Sequence, residues 1–261
     1  MRFAPLFSSS SGNCEFFGTS SESVLIDIGA NCKKVCLGLD AIGISPDDIR
    51  AIFITHEHTD HCAGLRVFTK KRDCKIFASE GTRRELIRAN AVSDPGRIEV
   101  IDGPVELDTL RITPFHTSHD SAESLGFTID DGDTAAAVIS DTGFVSESIM
   151  SAVSGVDLCV VESNYDKYKL RFGNYPPPLK ARIAAPNGHL SNDDAAQVCR
   201  RLLEQGTSRF YLSHLSRENN TPQLAFDTTF NVLRENGAAF NRDYMLDVCE
   251  VENTKKSYIC F

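Results

Sequence analysis

No apolar run in this chain of 261 residues is long enough to span a membrane. The stretch Met1-Arg2-Phe3-Ala4-Pro5 lacks the long apolar segment of a signal peptide. No CxxC pair occurs among the nine cysteines, at 14, 32, 36, 62, 74, 159, 199, 249 and 260, and their number is odd. A disulfide framework is thereby disfavoured, and reduced thiols in a cytoplasmic protein are expected. Positive charge is short as well. The formal net charge of −9 argues against general attraction to nucleic acid or anionic lipid, while leaving room for a local basic patch. Linkers, low-complexity tracts and internal repeats are missing, so a single domain spanning 1–261 is expected.

What the chain does have is an ordinary hydrophobic content for a soluble protein, enough for a large core. It also has one dense stretch, Thr55-His56-Glu57-His58-Thr59-Asp60-His61. Imidazole and carboxylate are the donors that zinc, manganese and iron accept. The preceding Ala51-Ile52-Phe53-Ile54-Thr55 reads as a buried strand, so the histidines begin where a strand ends. His56 and His58, two apart, share a face of an extended chain and can grip one metal. Asp60 and His61 follow where a helix should start and can point at a second. Glu57 and Thr59 alternate outward. A solvated polar loop would not account for four metal-competent side chains at this spacing. Cys62 reads as a small packing residue beside the cluster.

Strands and helices alternate along the rest of the chain. Strands are expected near 6–7, 14–17, 24–29, 74–78, 98–101, 110–115, 125–129, 135–139, 157–161, 209–213, 244–251 and 257–260. Helices are expected over 31–42, 64–71, 79–89, 192–204 and from Thr221-Pro222 to Asn236-Gly237. Ser191 with Asp194 forms a capping-box-like start. Strands in two batches, each interleaved with helices, suit two sheets packed face to face with helices outside.

Further candidates lie at strand ends. Ser8-Ser9-Ser10-Ser11-Gly12-Asn13 offers hydroxyls and backbone N–H groups to an anion such as phosphate, and equally suits a plain hairpin connection. Asp27, in Asp-x-Gly, is placed to orient the metal loop. His119, Asp141 and His214 each follow a strand. His116, three before His119, is expected to pack or to support rather than to ligate. Between 165 and 182, Lys167, Lys169, Arg171, Lys180 and Arg182 interleave with Tyr165, Tyr168, Phe172 and Tyr175. That mixture suits a nucleic-acid backbone and its bases, and equally a solvated loop.

Taken together, His56-x-His58-x-Asp60-His61, His119, Asp141 in Ser-Asp-Thr-Gly and His214 resemble the metallo-β-lactamase superfamily. Longer strings resemble its bacterial YycJ-like (WalJ or VicX) branch: Ser8 to Cys14, Thr55 to His61, Ser118-His-Asp120, Glu162-Ser-Asn164, Gly188 to Asn192 and Leu212 to Asn220. The resemblance implies an α/β fold, the αβ/βα four-layer sandwich. It implies two divalent metal ions, zinc or manganese, with iron also accepted. His56, His58 and His119 would hold the first, and Asp60, His61 and His214 the second, with Asp141 bridging. His189 is similar in position to the non-ligand histidine of tRNase Z-like and β-CASP nucleases, where it is proposed to protonate the leaving group. The inserted arm or extra domain of those nucleases is not expected within these 261 residues, so their RNA substrates are not implied.

The implied activity is a 5′-to-3′ DNA exonuclease, with a metal-activated hydroxide as nucleophile, Asp60 in the catalytic centre and His189 as general acid. Ser9, Ser10, Ser11, Asn13, Asn164, Lys180 and Ser191 are the candidate substrate contacts, and the partner is nucleic acid, DNA, rather than membrane. Two other readings share parts of the sequence. A small-molecule hydrolase of a thioester, lactone or cyclic phosphodiester needs no basic track and suits the acidic charge. A non-catalytic regulatory protein would not need an intact ligand set.

Overall fold

A computed structural model describes all residues, 1–261. Every apolar run read as a strand is one, with ends shifted by a few residues, and Val105–Glu106 is added to them. Fourteen strands form two seven-stranded mixed sheets, with nine α-helices connecting them. The α/β class expected from the alternation of elements is therefore the one observed.

Packing divides the chain into two compact units. One contains Met1–Pro114, Ser121–Thr134 and Glu250–Phe261, and the other Phe115–Asp120 and Ala135–Cys249. In the first unit, one sheet runs in the order Ile259–Cys260, Arg2–Phe7, Cys14–Gly18, Ser23–Ile26, Ile49–Phe53, Lys75–Ala78, Ile98–Val100. The last four strands are parallel to one another. Ile49–Phe53 is central in this ribbon and buried at every position but Arg50. Burial on both faces is why its sequence reads as a continuous apolar run rather than as an alternation. The core beneath it is aliphatic and aromatic, including Leu6, Phe16, Leu25, Ile52, Leu65 and Phe68.

In the second unit, Ala135–Ile139, Leu158–Glu162, Arg209–Ser213 and Met245–Val248 form a parallel ribbon. Leu158–Glu162 is central and wholly buried, so it carries a glutamate into the interior at its last position. Helix Asn192–Glu204 packs with Ala195, Ala196, Val198, Cys199 and Leu202 inward, the spacing of one helical face. Ser191 caps it by accepting from the Asp194 amide, an interaction worth about 1 kcal/mol. Helix Pro222–Glu235 starts at a Thr221 cap with proline at its first position. Its buried residues Ala225, Thr229 and Leu233 recur every four positions.

Three helices escape the sequence reading: Glu147–Ala152, Lys167–Phe172 and Pro177–Ile183. Each is six or seven residues long, too short for a 3.6-residue period to show. The basic and aromatic stretch at 165–182 is thus two short helices rather than a loop. Pro176-Pro177-Pro178 reads as a breaker, yet proline is well placed in a first turn, where no N–H partner is needed. No helix is long and apolar enough to cross a membrane.

Candidate metal centre

In each unit most of the candidate ligands collect at the carboxyl ends of parallel strands, the end at which open α/β sheets bind their ligands, while His119 follows the antiparallel strand Arg111–His116 and His189 follows the helix Pro177–Ile183. The first cluster follows Ile49–Phe53. The chain leaves the strand at Ile54, and His58 opens the short helix Thr59–Cys62. His56 and His61 are buried, with ring centroids 4.1 Å apart, and the His56 and His58 rings meet edge-on at 4.5 Å. Asp60 Oδ2 lies 3.6 Å from His61 Nε2. His56 with His58, and Asp60 with His61, thus form two adjacent sets of imidazole nitrogen and carboxylate oxygen.

Asp27, at the end of Ser23–Ile26, fixes this loop from behind. Its Oδ2 lies 2.6 Å from His61 Nδ1 and accepts the Thr55 hydroxyl at 2.7 Å, while Oδ1 accepts the Thr55 amide at 2.8 Å. Holding Nδ1 sets the tautomer and leaves Nε2 as the ligand atom. Burial raises the Asp27 carboxyl above its ordinary value, and attraction to His61 with bonds from His61 and Thr55 only partly opposes it. The backbone is stitched as tightly. The Asn13 amide donates to Asp60 O at 2.8 Å, Ile28 N to His61 O at 2.9 Å and Gly64 N to Ile28 O at 2.9 Å. A Cβ on Gly29 would sit 1.6 Å from the Asp60 carbonyl oxygen, so only glycine permits this approach. Cys62 is buried, donates to Glu57 O at 3.3 Å, and burial pushes its thiol up to about 12. It packs as a neutral thiol, as expected. Glu57 is turned to accept the Ala122 amide at 2.8 Å.

The second cluster is drawn from separate loops. Asp141, Glu162, His189 and His214 each bring one ligand atom within 4.8 Å of the others. His119 Nε2 lies 3.5 Å from Asp141 Oδ2, and its Nδ1 is held by Gly188 O at 3.0 Å. Burial holds the His119 imidazole below its ordinary value, against the pull of Asp141 and Glu162. Asp27, Asp141 and His214, all at strand ends, share a left-handed backbone with φ of 59°, 47° and 54°. Such conformations are costly for residues with a Cβ and cluster at functional sites.

Glu162 is the hub. Its Oε1 lies 2.6 Å from His189 Nδ1 and 3.0 Å from His214 Nδ1, while Oε2 accepts the amides of Thr142 at 3.0 Å and Leu190 at 3.3 Å. Burial works to raise this carboxyl, but attraction to His189 and the bonds from both imidazoles outweigh it and hold it low. The same pairing lifts His189: burial lowers it, and Glu162 with Asp141 more than reverses the effect. His189 is the most open of the cluster, its side chain 18% exposed. In the sequence Glu162 stands only within the string Glu162-Ser-Asn164, with no role attached to it. The available signal was a carboxylate ending the otherwise apolar run Leu158-Cys-Val-Val.

The remaining candidates divide by exposure. Ser9 and Asn13 are buried: the Ser9 amide donates to Asn13 Oδ1 at 3.1 Å, and Asn13 Nδ2 lies 3.1 Å from His61 Nε2. Ser10 and Ser11 are exposed. Asn164 Nδ2 donates to His214 O at 2.8 Å, which anchors the strained turn there. Lys180 donates to the carbonyls of Arg171 at 2.9 Å and Gly173 at 2.7 Å. Ser191 is buried as a helix cap, its hydroxyl on Asp194. His116 is exposed at the end of its strand rather than packed, because the strand Arg111–His116 turns its last side chain to solvent.

Do these residues suit a divalent cation? In the second cluster Asp141 and Glu162 are two buried carboxylates side by side, with imidazoles around them and no lysine or arginine among the donors. A dication offsets that charge, and nitrogen with oxygen donors is the set that zinc, manganese and iron take. In both clusters a second acceptor, Asp27 Oδ2 for His61 and Gly188 O for His119, grips Nδ1 and turns Nε2 toward a carboxylate. The donors fit.

Comparisons with known proteins agree. The Beta-lactamase superfamily domain matches residues 33–215. Exodeoxyribonuclease YycJ of Bacillus anthracis is 33% identical over 91% of this chain and 90% of its own length. Exodeoxyribonuclease WalJ of Streptococcus pneumoniae is 34% identical over 90% and 88%. Among solved structures, Zn(2+)-bound PqqB from Methylobacterium extorquens superposes with a TM-score of 0.74 at 15% identity, covering 100% of both chains. The chain therefore belongs to the metallo-β-lactamase superfamily of metal-dependent hydrolases, in the branch of YycJ and WalJ.

Proposed function

We propose that this chain is a dinuclear phosphodiesterase that degrades DNA from the 5′ end, working in the cytoplasm. His56, His58 and His119 would hold one divalent cation, Asp60, His61 and His214 the other, and Asp141 would bridge. When bound, such a pair supplies a water of lowered pKa and offsets charge on phosphoryl oxygens. The chain's own residues do the rest. Glu162 holds the His189 imidazole by Nδ1 and raises its proton affinity, and the His189 side chain keeps 18% exposure, so Nε2 would be the atom left to carry a transferable proton. That is the disposition of a general acid for a departing sugar oxygen. Ser10 and Ser11 are open to a phosphate. The Glu162–His189 pair is the observation that carries the reading, and relatives named exodeoxyribonucleases support it.

Metal-loaded protein incubated with 5′-phosphorylated duplex DNA and with bis(p-nitrophenyl) phosphate tests it. DNA should be shortened from the 5′ end. His189→Ala should slow DNA cleavage by roughly 10²- to 10⁴-fold, the usual worth of general acid catalysis. The nitrophenolate leaving group needs no proton, so hydrolysis of the small diester should scarcely change. Equal losses on both substrates would refute the proton-donor role. A second reading, a hydrolase of small thioesters, lactones or cyclic phosphodiesters, draws on the net charge of −9. Turnover of such compounds with no DNA cleavage would favour it.

A further inference from the structure

Helix Lys167–Phe172 hangs from the loop that holds His214. Asn164 anchors the His214 carbonyl, the Asp166 amide donates to Asn219 O at 2.8 Å, and Asp166 caps the helix by accepting from Lys169 N. Leu170 turns inward to pack with Tyr165 and Ile183. The opposite face is left with two rings in the open: Tyr168 is 71% exposed and Phe172 62%. They stand four residues apart, one above the other, with centroids 4.6 Å apart and planes tilted by 46°. Solvent-facing aromatics so paired are an uncompensated apolar patch within the second unit, and patches of that kind mark contact surfaces.

The charge around the rings says what they contact. From Lys167 to Asn192 the sequence has five cationic residues and no aspartate or glutamate, in a chain of net charge −9. Lys167 is paired with Asp193 and Asp194, Arg182 with Asp120, and Lys180 caps carbonyls. Lys169 and Arg171, between and beside the rings, make no ion pair, and the Arg171 guanidinium lies 5.3 Å from the centre of the Phe172 ring. Flat rings interleaved with unneutralised cations match the bases and phosphates of an unpaired strand. Duplex DNA buries its base faces and offers nothing for the rings to stack on. Tyr168 follows Asn164 by four residues, so at roughly 3.4 Å per residue the platform starts within about 14 Å of Asn164, whose side-chain Nδ2 lies 3.3 Å from His214 Nδ1.

We infer that Tyr168 and Phe172, flanked by Lys169 and Arg171, form a base-stacking platform that holds the unpaired strand of a nucleic acid on its way to the catalytic centre. The inference deepens the nuclease reading and rests on it for the direction of travel. The rings are exposed, so the double variant Tyr168→Ala/Phe172→Ala should fold normally. Its KM for single-stranded DNA should rise by roughly 10- to 100-fold, with kcat nearly unchanged. Its rate on bis(p-nitrophenyl) phosphate should match wild type.

A second variant reads binding without turnover. The chain contains no tryptophan, so Tyr168→Trp introduces the sole indole emission. A phosphorothioate single strand, which resists cleavage, should quench that emission in the metal-loaded protein. If wild type degrades DNA while the indole signal and the KM of the double variant stay put, the platform is wrong and the nuclease reading survives. If no DNA is degraded but the strand still quenches and the alanines still weaken binding, the platform stands and the nuclease reading falls. Loss of self-association in the double variant, with DNA affinity unmoved, would mark a contact between copies and overturn the inference.

Discussion

The two candidate clusters are assembled in opposite ways. His56, His58, Asp60 and His61 come from one loop, at the end of one strand, and their spacing alone brings them near each other. Asp141, Glu162, His189 and His214 come from four places in the chain, and only tertiary structure brings them within 4.8 Å. The bracing differs accordingly. The loop cluster is held largely through backbone bonds to Asn13 and Ile28, with Asp27 supporting a single imidazole. The gathered cluster depends on one carboxylate, Glu162, which bonds two imidazoles and two backbone amides from three loops. A site built locally spreads its support over several backbone bonds. A site built from distant loops concentrates its dependence in whichever buried group ties those loops together.

The largest expected effect does not distinguish the clusters, and that is its use. Asp60→Ala and Asp141→Ala should each cut turnover by about three orders of magnitude, the scale of losing several kcal/mol of metal-assisted catalysis. Circular dichroism should show both variants folded. If either variant retained wild-type turnover, its cluster would not be part of the centre.

Replacing the supports separates the clusters. Glu162→Gln should remove negative charge from beside His189 and His214 together, lowering zinc or manganese retention and slowing DNA cleavage more than bis(p-nitrophenyl) phosphate hydrolysis. Asp27→Asn should lower metal retention by roughly 10- to 100-fold, the usual cost of losing a carboxylate behind a ligand histidine, and should slow both substrates alike. Element analysis after dialysis, beside the two rate ratios, decides the matter. Were Asp27→Asn to change the substrate ratio and Glu162→Gln leave it, the roles assigned to the two carboxylates would be reversed.

The same contrast governs how much the residues disclose in advance. The central strands were legible because they are buried on both faces and carry apolar runs, as Ala51 to Phe53 and Leu158 to Val161 do. The loop cluster was legible because its donors adjoin in sequence. His119, Asp141 and His214 stood out only through their positions at strand ends and through a family resemblance. Glu162 did not stand out, since a lone acid ending an apolar strand gives no sign of the imidazoles and amides that converge on it from elsewhere. The branch-specific strings acquire a physical meaning in the fold. Ser163 Oγ donates to Asn192 Oδ1 at 2.7 Å, and Asn220 Nδ2 donates to Asn192 Oδ1 at 2.8 Å and to Ser163 O at 2.8 Å. These buried polar groups bond one another and lock the loops under His214, where an unmade bond would cost about 1–3 kcal/mol. The helix Lys167–Phe172 stayed hidden because six residues do not establish a period.

The smallest effect is the sharpest test of the comparison. Asn13 and Asn164 are matched: each is a buried amide beside a candidate ligand histidine, one per cluster. Both keep their main-chain bonds on truncation: Asn13 N to Asp60 O at 2.8 Å and Gly29 N to Asn13 O at 2.7 Å, Asn164 N to Leu190 O at 2.9 Å and Ser216 N to Asn164 O at 2.8 Å. The difference lies in the turn each side chain holds. Asn164 Nδ2 bonds the carbonyl of His214, a residue held at φ 54° without a glycine's freedom. Removing that bond lets the turn relax toward ordinary backbone and swing the imidazole away. A buried hydrogen bond is worth about 1 kcal/mol, so Asn164→Ala should weaken metal retention by roughly fivefold to tenfold, with Asn13→Ala nearer to wild type. If Asn13→Ala proved the more damaging of the two, proximity in sequence would not be what stabilises the first cluster, and its loop would have to be regarded as no less dependent on tertiary support than the second.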